Sequence, residues 1–248
     1  MNPTSNLYDE VYFQRLVGYS RLTGRDYREY RVRGLRRLLR SYNRKSAAIL
    51  DVACGDGFYV HSLASDFALV GGDVSIDGIR RSEKWRGLKL YQGDFCNLPF
   101  RDASWDSILA LDVLEHLHSP QKALAEAYRV LKPGGYFILS VPNAGSFGNR
   151  LKGQEWFAYS DSTHVNLLDV PTWREILKTS GFCILRDGTD TPWDVPYPII
   201  VPKVLQKPVS NLITILVRTT IVFLPWERGE NYNAICMKRL DDGTTHRN

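Results

Sequence analysis

Short apolar runs alternate along this chain with stretches in which apolar residues recur every three or four positions. The first pattern is that of a buried strand and the second that of an amphipathic helix. Residues 47–52, 68–74, 88–93 and 107–111 read as strands. The turn from Cys54 to Gly57 leads into a helix reaching about residue 65, a second helix covers 76–85, and the loop CNLPFRDAS precedes the fourth strand. A further helix is expected over 119–131, with Ser119 as its cap and Pro120 at its first position, where a missing amide is harmless. Gly134 and Gly135 are expected to end that helix and start a fifth strand at 136–141. Strand and helix in strict alternation predict a parallel sheet with helices on both faces, a doubly wound α/β fold.

Beyond Pro142 the pattern loosens. Gly145, Gly148 and Gly153 mix with Phe147, Trp156, Phe157 and Tyr159, a composition suited to an active-site lid. A helix over 170–180, capped by Asp169 with Pro171 near its start, leads to a strand at 182–186, and a last strand is expected at 233–238. Residues 188–230 interrupt that closing hairpin as an inserted lid. Within them, 209–224 carry Arg218 as the only charge between Pro208 and Pro225. Those sixteen residues fall short of the roughly 20 needed to cross a bilayer. They read either as a buried lid helix or as a segment lying in a membrane interface. The expected division is a helical N-terminal extension over 1–45, a catalytic domain over 46–240, and a flexible tail over 241–248.

Composition narrows the class. A chain of 248 residues suits one large α/β domain, and 44% hydrophobic with 24% charged residues speaks against disorder and against a multi-span membrane protein. The net charge of +5 is local: residues 21–45 hold ten Lys or Arg against two acids. Such a stretch can meet nucleic acid or an anionic membrane. However, Leu35, Leu38, Leu39 and Tyr42 recur at helical spacing, as in an amphipathic helix that turns its charges to water. With Lys203 and Lys207, that helix could also meet lipid headgroups, each basic residue contributing about 1 kcal/mol. Cys54, Cys96, Cys183 and Cys236 make no CxxC pair, so neither a disulfide framework nor a metal site is expected, and a reducing cytoplasm fits. The start MNPTSNLYDEVYF has no uninterrupted apolar run and does not read as a secretory signal.

The segment ILDVACGDG places Asp51 at the end of the first strand and Gly55 and Gly57 in the strand-to-helix turn, where a ligand can approach the backbone. Asp73 follows 22 residues later at the tip of the next strand, and a carboxylate there can accept both hydroxyls of a ribose. Nicotinamide dinucleotides use a similar turn. A dinucleotide site wants a third small residue where this chain has Val60, because a diphosphate requires close approach of the helix.

From residue 47 to about 143 the chain resembles the class I S-adenosylmethionine-dependent methyltransferases of the small-molecule type. The glycine motif, GGDVS, YQGDF, WDSILALDVLEHL and RVLKPGGYFILSVPN occur in that family's order, and HVNLLDVPTWREILKTSGF resembles its downstream helix and strand. The resemblance implies a Rossmann-like sheet of seven mostly parallel strands with an antiparallel last one. It also implies S-adenosylmethionine as cofactor and S-adenosylhomocysteine as product. Asp51 would orient the turn and the cofactor's ammonium, with Ala53, Cys54, Gly55 and Gly57 framing the cavity. Asp73 and Val74 would hold the ribose, Asp94 and Phe95 the adenine, and Asp112 and Val113 the methionine end. Ala53 departs from the family, which has glycine there. For each of these acids the plain alternative is a helix cap or a turn residue.

Methyl transfer from a sulfonium has a cationic leaving group, so alignment can supply much of the rate. A base is needed only if the acceptor must lose a proton. His116 and His164 are the candidates, since an ordinary imidazole has a pKa of about 6.5; the alternative for each is a histidine that fixes a loop. The expected acceptor is a small or lipid-like molecule methylated on oxygen, under a lid of Trp156, Phe157, Tyr159 and residues 192–225. Peripheral membrane contact would use 192–225 and the basic 21–45 helix, and the chain would be a monomer or homodimer. Two rivals share the fold. An NAD(P)-dependent oxidoreductase should carry Gly or Ala at position 60. An RNA or other nucleic-acid methyltransferase acting on base amino groups should carry Asn or Asp, two prolines and an aromatic after the fourth strand, where LDVLEH stands. No nucleic-acid partner is therefore expected.

Overall fold

The computed structural model describes residues 27–190, 193–194, 202, 204–206 and 225–240. The expectations for residues before 27, for nearly all of 191–224, including the apolar 209–224 segment with Lys203 and Lys207, and for the tail after 240 lie outside the described residues.

Seven strands form one mixed sheet. They are β1 (Ala48–Asp51), β2 (Ala68–Asp73), β3 (Leu90–Gln92), β4 (Trp105–Leu111), β5 (Leu131–Pro142), β6 (Phe182–Thr189) and β7 (Asn231–Lys238), ordered β3-β2-β1-β4-β5-β7-β6. β1 pairs in parallel with β2 and β4, and β2 with β3. A strand flanked on both sides and covered on both faces must be apolar throughout. Ile49, Leu50, Ile108 and Leu109 are accordingly inaccessible. The register sets Asp51, the last residue of β1, opposite Gly71, so that β2 runs two residues further before ending at Asp73.

The chain divides into two compact units. Of the described residues, the first holds 27–110, 122–137 and 238–240. Helix α1 (Tyr27–Tyr42) opens it, burying Val32, Leu35, Leu38 and Leu39 as one stripe. Its charges do not all turn to water. Arg36 Nε donates to Asp66 Oδ2 at 2.7 Å, Arg40 donates to Asp66 Oδ1 at 2.5 Å, and Arg28 Nη1 lies 3.2 Å from both Asp56 oxygens. Helices α2 (Phe58–Leu63) and α3 (Ile76–Arg81) follow β1 and β2.

Helix α4 (Pro120–Val130) ends before the glycine pair expected to stop it, and β5 begins at Leu131. The carbonyls of Arg129 and Val130 are taken by the amides of Ala103 and Ser104 at 3.0 and 2.8 Å. The last carbonyls of a helix need partners from outside it, and here the neighbouring loop supplies them, so no glycine cap is required.

The second unit holds residues 111–121 and the described part of 138–237. It contains α5 (Phe147–Lys152) and α6 (Val170–Thr179), the latter capped by Asp169, which accepts from Thr172 N at 3.0 Å. Trp156, placed by sequence in a lid, is fully buried. A buried indole N–H needs an acceptor, and Trp156 Nε1 donates to Glu230 Oε2 at 2.8 Å. Glu230 Oε1 also accepts from Gly148 N at 3.1 Å. Trp156 is a core residue; Tyr159 beside it is 42% exposed. Among the described residues no helix is long and apolar enough to cross a membrane.

Candidate active site

In the first unit the chain leaves β1 at Asp51 and turns sharply through Gly57. Cys54 N donates to Gly72 O at 2.9 Å and Gly57 N to Cys54 O at 2.9 Å, which folds the turn back over the end of β2. Gly55 and Gly57 sit at φ 52° and 72°, left-handed values that side chains seldom adopt. At Gly57 a Cβ would also lie 2.9 Å from Ser82 Cβ.

Asp73 locks this turn. Its Oδ2 accepts from Gly55 N at 2.8 Å and its Oδ1 from Ser75 N at 2.8 Å. Burial raises its pKa, while those backbone amides work in the opposite direction. Asp51 is 1% exposed, and its Oδ2 has no hydrogen-bond partner among the described residues. Burial first, and then the charge of Asp73, push its pKa up to about 7, against a smaller lowering by Arg31. Two buried acids at adjacent strand ends, one with an unmatched oxygen, form a site that attracts a cation and hydroxyl donors. An amino-acid ammonium and a ribose fit this pair.

Close packing shapes the floor beside Asp73. Gly72 lies opposite Tyr91 in the β2–β3 register, and a Cβ on Gly72 would fall 2.2 Å from Tyr91 Cζ. The Tyr91 ring is itself braced edge-on by Phe100 at 5.0 Å.

The other cofactor candidates of this unit are less telling. Ala53 is half-buried, and Cys54 is buried with its thiol pKa raised by burial and then by the charge of Asp51, which leaves it inert. Val74 is half-buried and its carbonyl accepts from Gln92 Nε2 at 3.1 Å. Asp94 Oδ1 accepts from Cys96 N at 2.8 Å, the behaviour of a turn-forming Asp, and Phe95 is 4% exposed.

In the second unit, Asp112 follows β4 with φ 55°, and its N–H donates to Ser140 O at 2.8 Å. A non-glycine residue held in that region stores strain of about 1–3 kcal/mol, and such strain gathers at functional sites. Asp112 is exposed and Val113 is buried. A single 3-10 turn, Leu114–His116, then presents Glu115 and His116.

The two candidate histidines come together here, with ring centroids 4.6 Å apart. His116 Nδ1 lies 2.8 Å from Thr163 Oγ1, and that hydroxyl gives its own proton to Asp161 Oδ1 at 2.6 Å. The hydroxyl oxygen therefore accepts from His116, so the imidazole proton sits on Nδ1 and the lone pair on Nε2. His164 Nδ1 lies 2.6 Å from Ala158 O. A carbonyl can only accept, so His164 too keeps its lone pair on Nε2. Burial, and then the neighbouring His164, lower the His116 pKa to about 4. The Asp161 carboxylate lies 3.9 Å from His164 Nε2.

Glu115, which sequence reasoning passed over, is 1% exposed and adjoins this pair: one ligand atom from each of Glu115, His116 and His164 falls within 4.8 Å of the others. The sequence signal was present as the acid beside His116. Its partner His164 lies 48 residues on, and spacing alone does not link them.

A methyltransferase-domain family matches residues 50–139. A protein of Encephalitozoon cuniculi named as a methyltransferase is 30% identical over 172 residues, 62% of this chain and 79% of that one. The fatty-acid O-methyltransferase of Mycolicibacterium smegmatis is 39% identical over 97 residues, 36% of this chain and 35% of its own length. Two further relatives are matched over 51% and 31% of their lengths. Among solved structures, an S-adenosylmethionine-dependent methyltransferase of Thermotoga maritima covers 95% of this chain and 100% of its own with a TM-score of 0.65. Its identity of 17% makes that a likeness of fold.

Proposed function

Since the chain belongs to the class I S-adenosylmethionine-dependent methyltransferases, we propose that it methylates an oxygen of a small or lipid-like acceptor and releases S-adenosylhomocysteine. The observation that carries the cofactor half is the pair Asp51 and Asp73 at adjacent strand ends, with one buried oxygen of Asp51 unmatched. Asp51 holds the ammonium, Asp73 with Val74 the ribose, and the turn from Ala53 through Cys54, Gly55 and Gly57 leaves the backbone open to approach. Asp94 and Phe95 take the adenine, and Asp112 and Val113 the methionine end. When bound, the cofactor supplies a methyl group on a cationic sulfur.

The oxygen half of the proposal rests on the histidines. An oxygen acceptor must lose a proton as the new O–C bond forms, and a base works best with a pKa near the working pH. His116, at about 4, is a weak base. His164 is the better candidate on geometry, with the Asp161 carboxylate 3.9 Å from its Nε2. The fatty-acid O-methyltransferase among the relatives supports an oxygen acceptor of lipid character. For such an acceptor, co-sedimentation of the full chain with anionic vesicles at low salt is expected; its absence removes the membrane contact through 192–225 and 21–45.

Calorimetric titration with S-adenosylmethionine, S-adenosylhomocysteine and NADH tests the cofactor half. Micromolar binding of the first two is expected, with loss in Asp73→Ala. Binding of NADH alone, or of none, would overturn it.

A further inference from the structure

We propose that Glu115, His116 and His164 form a binding site for one divalent transition-metal ion. The donors are one buried carboxylate and two imidazoles. Around a single ion with bonds of about 2.1 Å, ligand atoms lie no more than about 4.2 Å apart. Here they lie within 4.8 Å of one another, and closing to the roughly 3.4 Å of a tetrahedral sphere takes a movement of up to about 1.4 Å, within the reach of side-chain rotation.

The surroundings argue for the site more strongly than the distances do. A metal-binding histidine needs its unprotonated nitrogen aimed at the ion, and proteins secure this by engaging the other nitrogen with a fixed acceptor. Both histidines meet the requirement: the Thr163 hydroxyl, itself committed to Asp161, holds Nδ1 of His116, and the Ala158 carbonyl holds Nδ1 of His164. Both Nε2 lone pairs are therefore presented without any change of tautomer. Backbone bonds fix the frame, since Val165 N and Asn166 N both donate to Glu115 O at 2.9 Å and tie the two ligand-bearing segments together. Two imidazoles with one carboxylate favour zinc, manganese or iron over magnesium or calcium, and three protein ligands leave coordination positions open.

In use, though not in binding, the site rests on the oxygen-acceptor reading. An ion there would bind the acceptor hydroxyl and lower its pKa. The O–H bond then breaks with its proton passing to water, the O–CH3 bond forms and the S–CH3 bond breaks. With an ion on its Nε2, His164 no longer serves as the base.

The test is equilibrium dialysis of the metal-stripped full chain against Zn2+ and, separately, Mn2+, with S-adenosylhomocysteine binding measured on the same samples. One ion per chain is expected, weakened at least tenfold in Glu115→Gln and in His164→Asn, and unchanged in His118→Ala, which alters an exposed histidine outside the cluster. Thr163→Val leaves every ligand in place but removes both the partner of His116 Nδ1 and the hydroxyl bond to Asp161, so it should weaken binding about tenfold or more. Metal uptake that is absent, or equal in wild type, Glu115→Gln and His164→Asn, overturns the proposal. Cofactor binding without metal binding would sink the metal site alone; metal binding without cofactor binding would sink the methyltransfer reading alone.

Discussion

Asp51 keeps its proton in the free protein to about pH 7, because burial and the charge of Asp73 both oppose ionisation. The folded carboxyl thus titrates above its unfolded value of 3.8, and the folded chain binds more protons between these limits. This contribution is favourable below about pH 4 and is lost as pH rises towards 7. Each tenfold in acidity is about 1.4 kcal/mol, so the span from 3.8 to about 7 corresponds to about 4 kcal/mol. Urea unfolding at pH 5, 6 and 8 should show Asp51→Asn with a flatter pH dependence and, at pH 8, a free protein more stable by about 2–4 kcal/mol. The same variant should bind S-adenosylmethionine at least tenfold more weakly. An ammonium beside the carboxylate favours ionisation, so near pH 6.5 wild-type binding should release up to one proton, read from calorimetry in buffers of different ionisation enthalpy. A wild-type stability profile no steeper than that of the variant would contradict the assigned environment of Asp51.

The helix α1 divides into a face that packs and a face that pairs. Leu39 is inaccessible, so Leu39→Ala should cost about 3 kcal/mol by denaturant unfolding. Arg33 and Arg37 are exposed, and Ala at either should change stability by no more than about 0.5 kcal/mol. Arg28, Arg36 and Arg40 are engaged by Asp56 and Asp66, which leaves fewer cations for phosphates. Any affinity for RNA should therefore fall only gently with salt; a steep dependence that tracks these arginines would revive the nucleic-acid reading. The apolar stripe of α1 was legible because helical periodicity is local. Its acidic partners were not, lying 26 to 30 residues further on. The same limit hid the early start of β5, fixed by amides at Ala103 and Ser104, and the burial of Trp156 against a glutamate 74 residues away. At the candidate site, the acids at the strand ends could be read from the glycine turn. The meeting of Glu115, His116 and His164 could not, because only the folded chain brings residue 164 back to 116.

For the molecule as a whole, the strand order sets where ligands can bind. In parallel sheets the crevice lies beyond the carboxyl ends of the strands, and Asp51 and Asp73 both occupy such ends. A ligand that binds only the folded chain, at a hundred times its dissociation constant, adds about 2.7 kcal/mol. For a chain of this size, S-adenosylhomocysteine at that excess should raise the melting temperature by about 5–10 °C, and NADH should leave it unmoved. A scan in which NADH stabilises equally would point back to the oxidoreductase. The family order of landmarks was readable across 47–143 because each takes in the end of a strand and the turn beside it, where backbone geometry restricts the choice of residue.

The packing of Gly72 under Tyr91 restricts how this sequence can drift. A methyl group at 72 has no room while a bulky ring braced by Phe100 stands opposite, so the two positions can change in only one order, the ring shrinking before the glycine grows. Descendants of this chain with a larger residue at 72 should therefore already carry a small one at 91. In the laboratory, Gly72→Ala should be tolerated in a Tyr91→Ala background and fail alone.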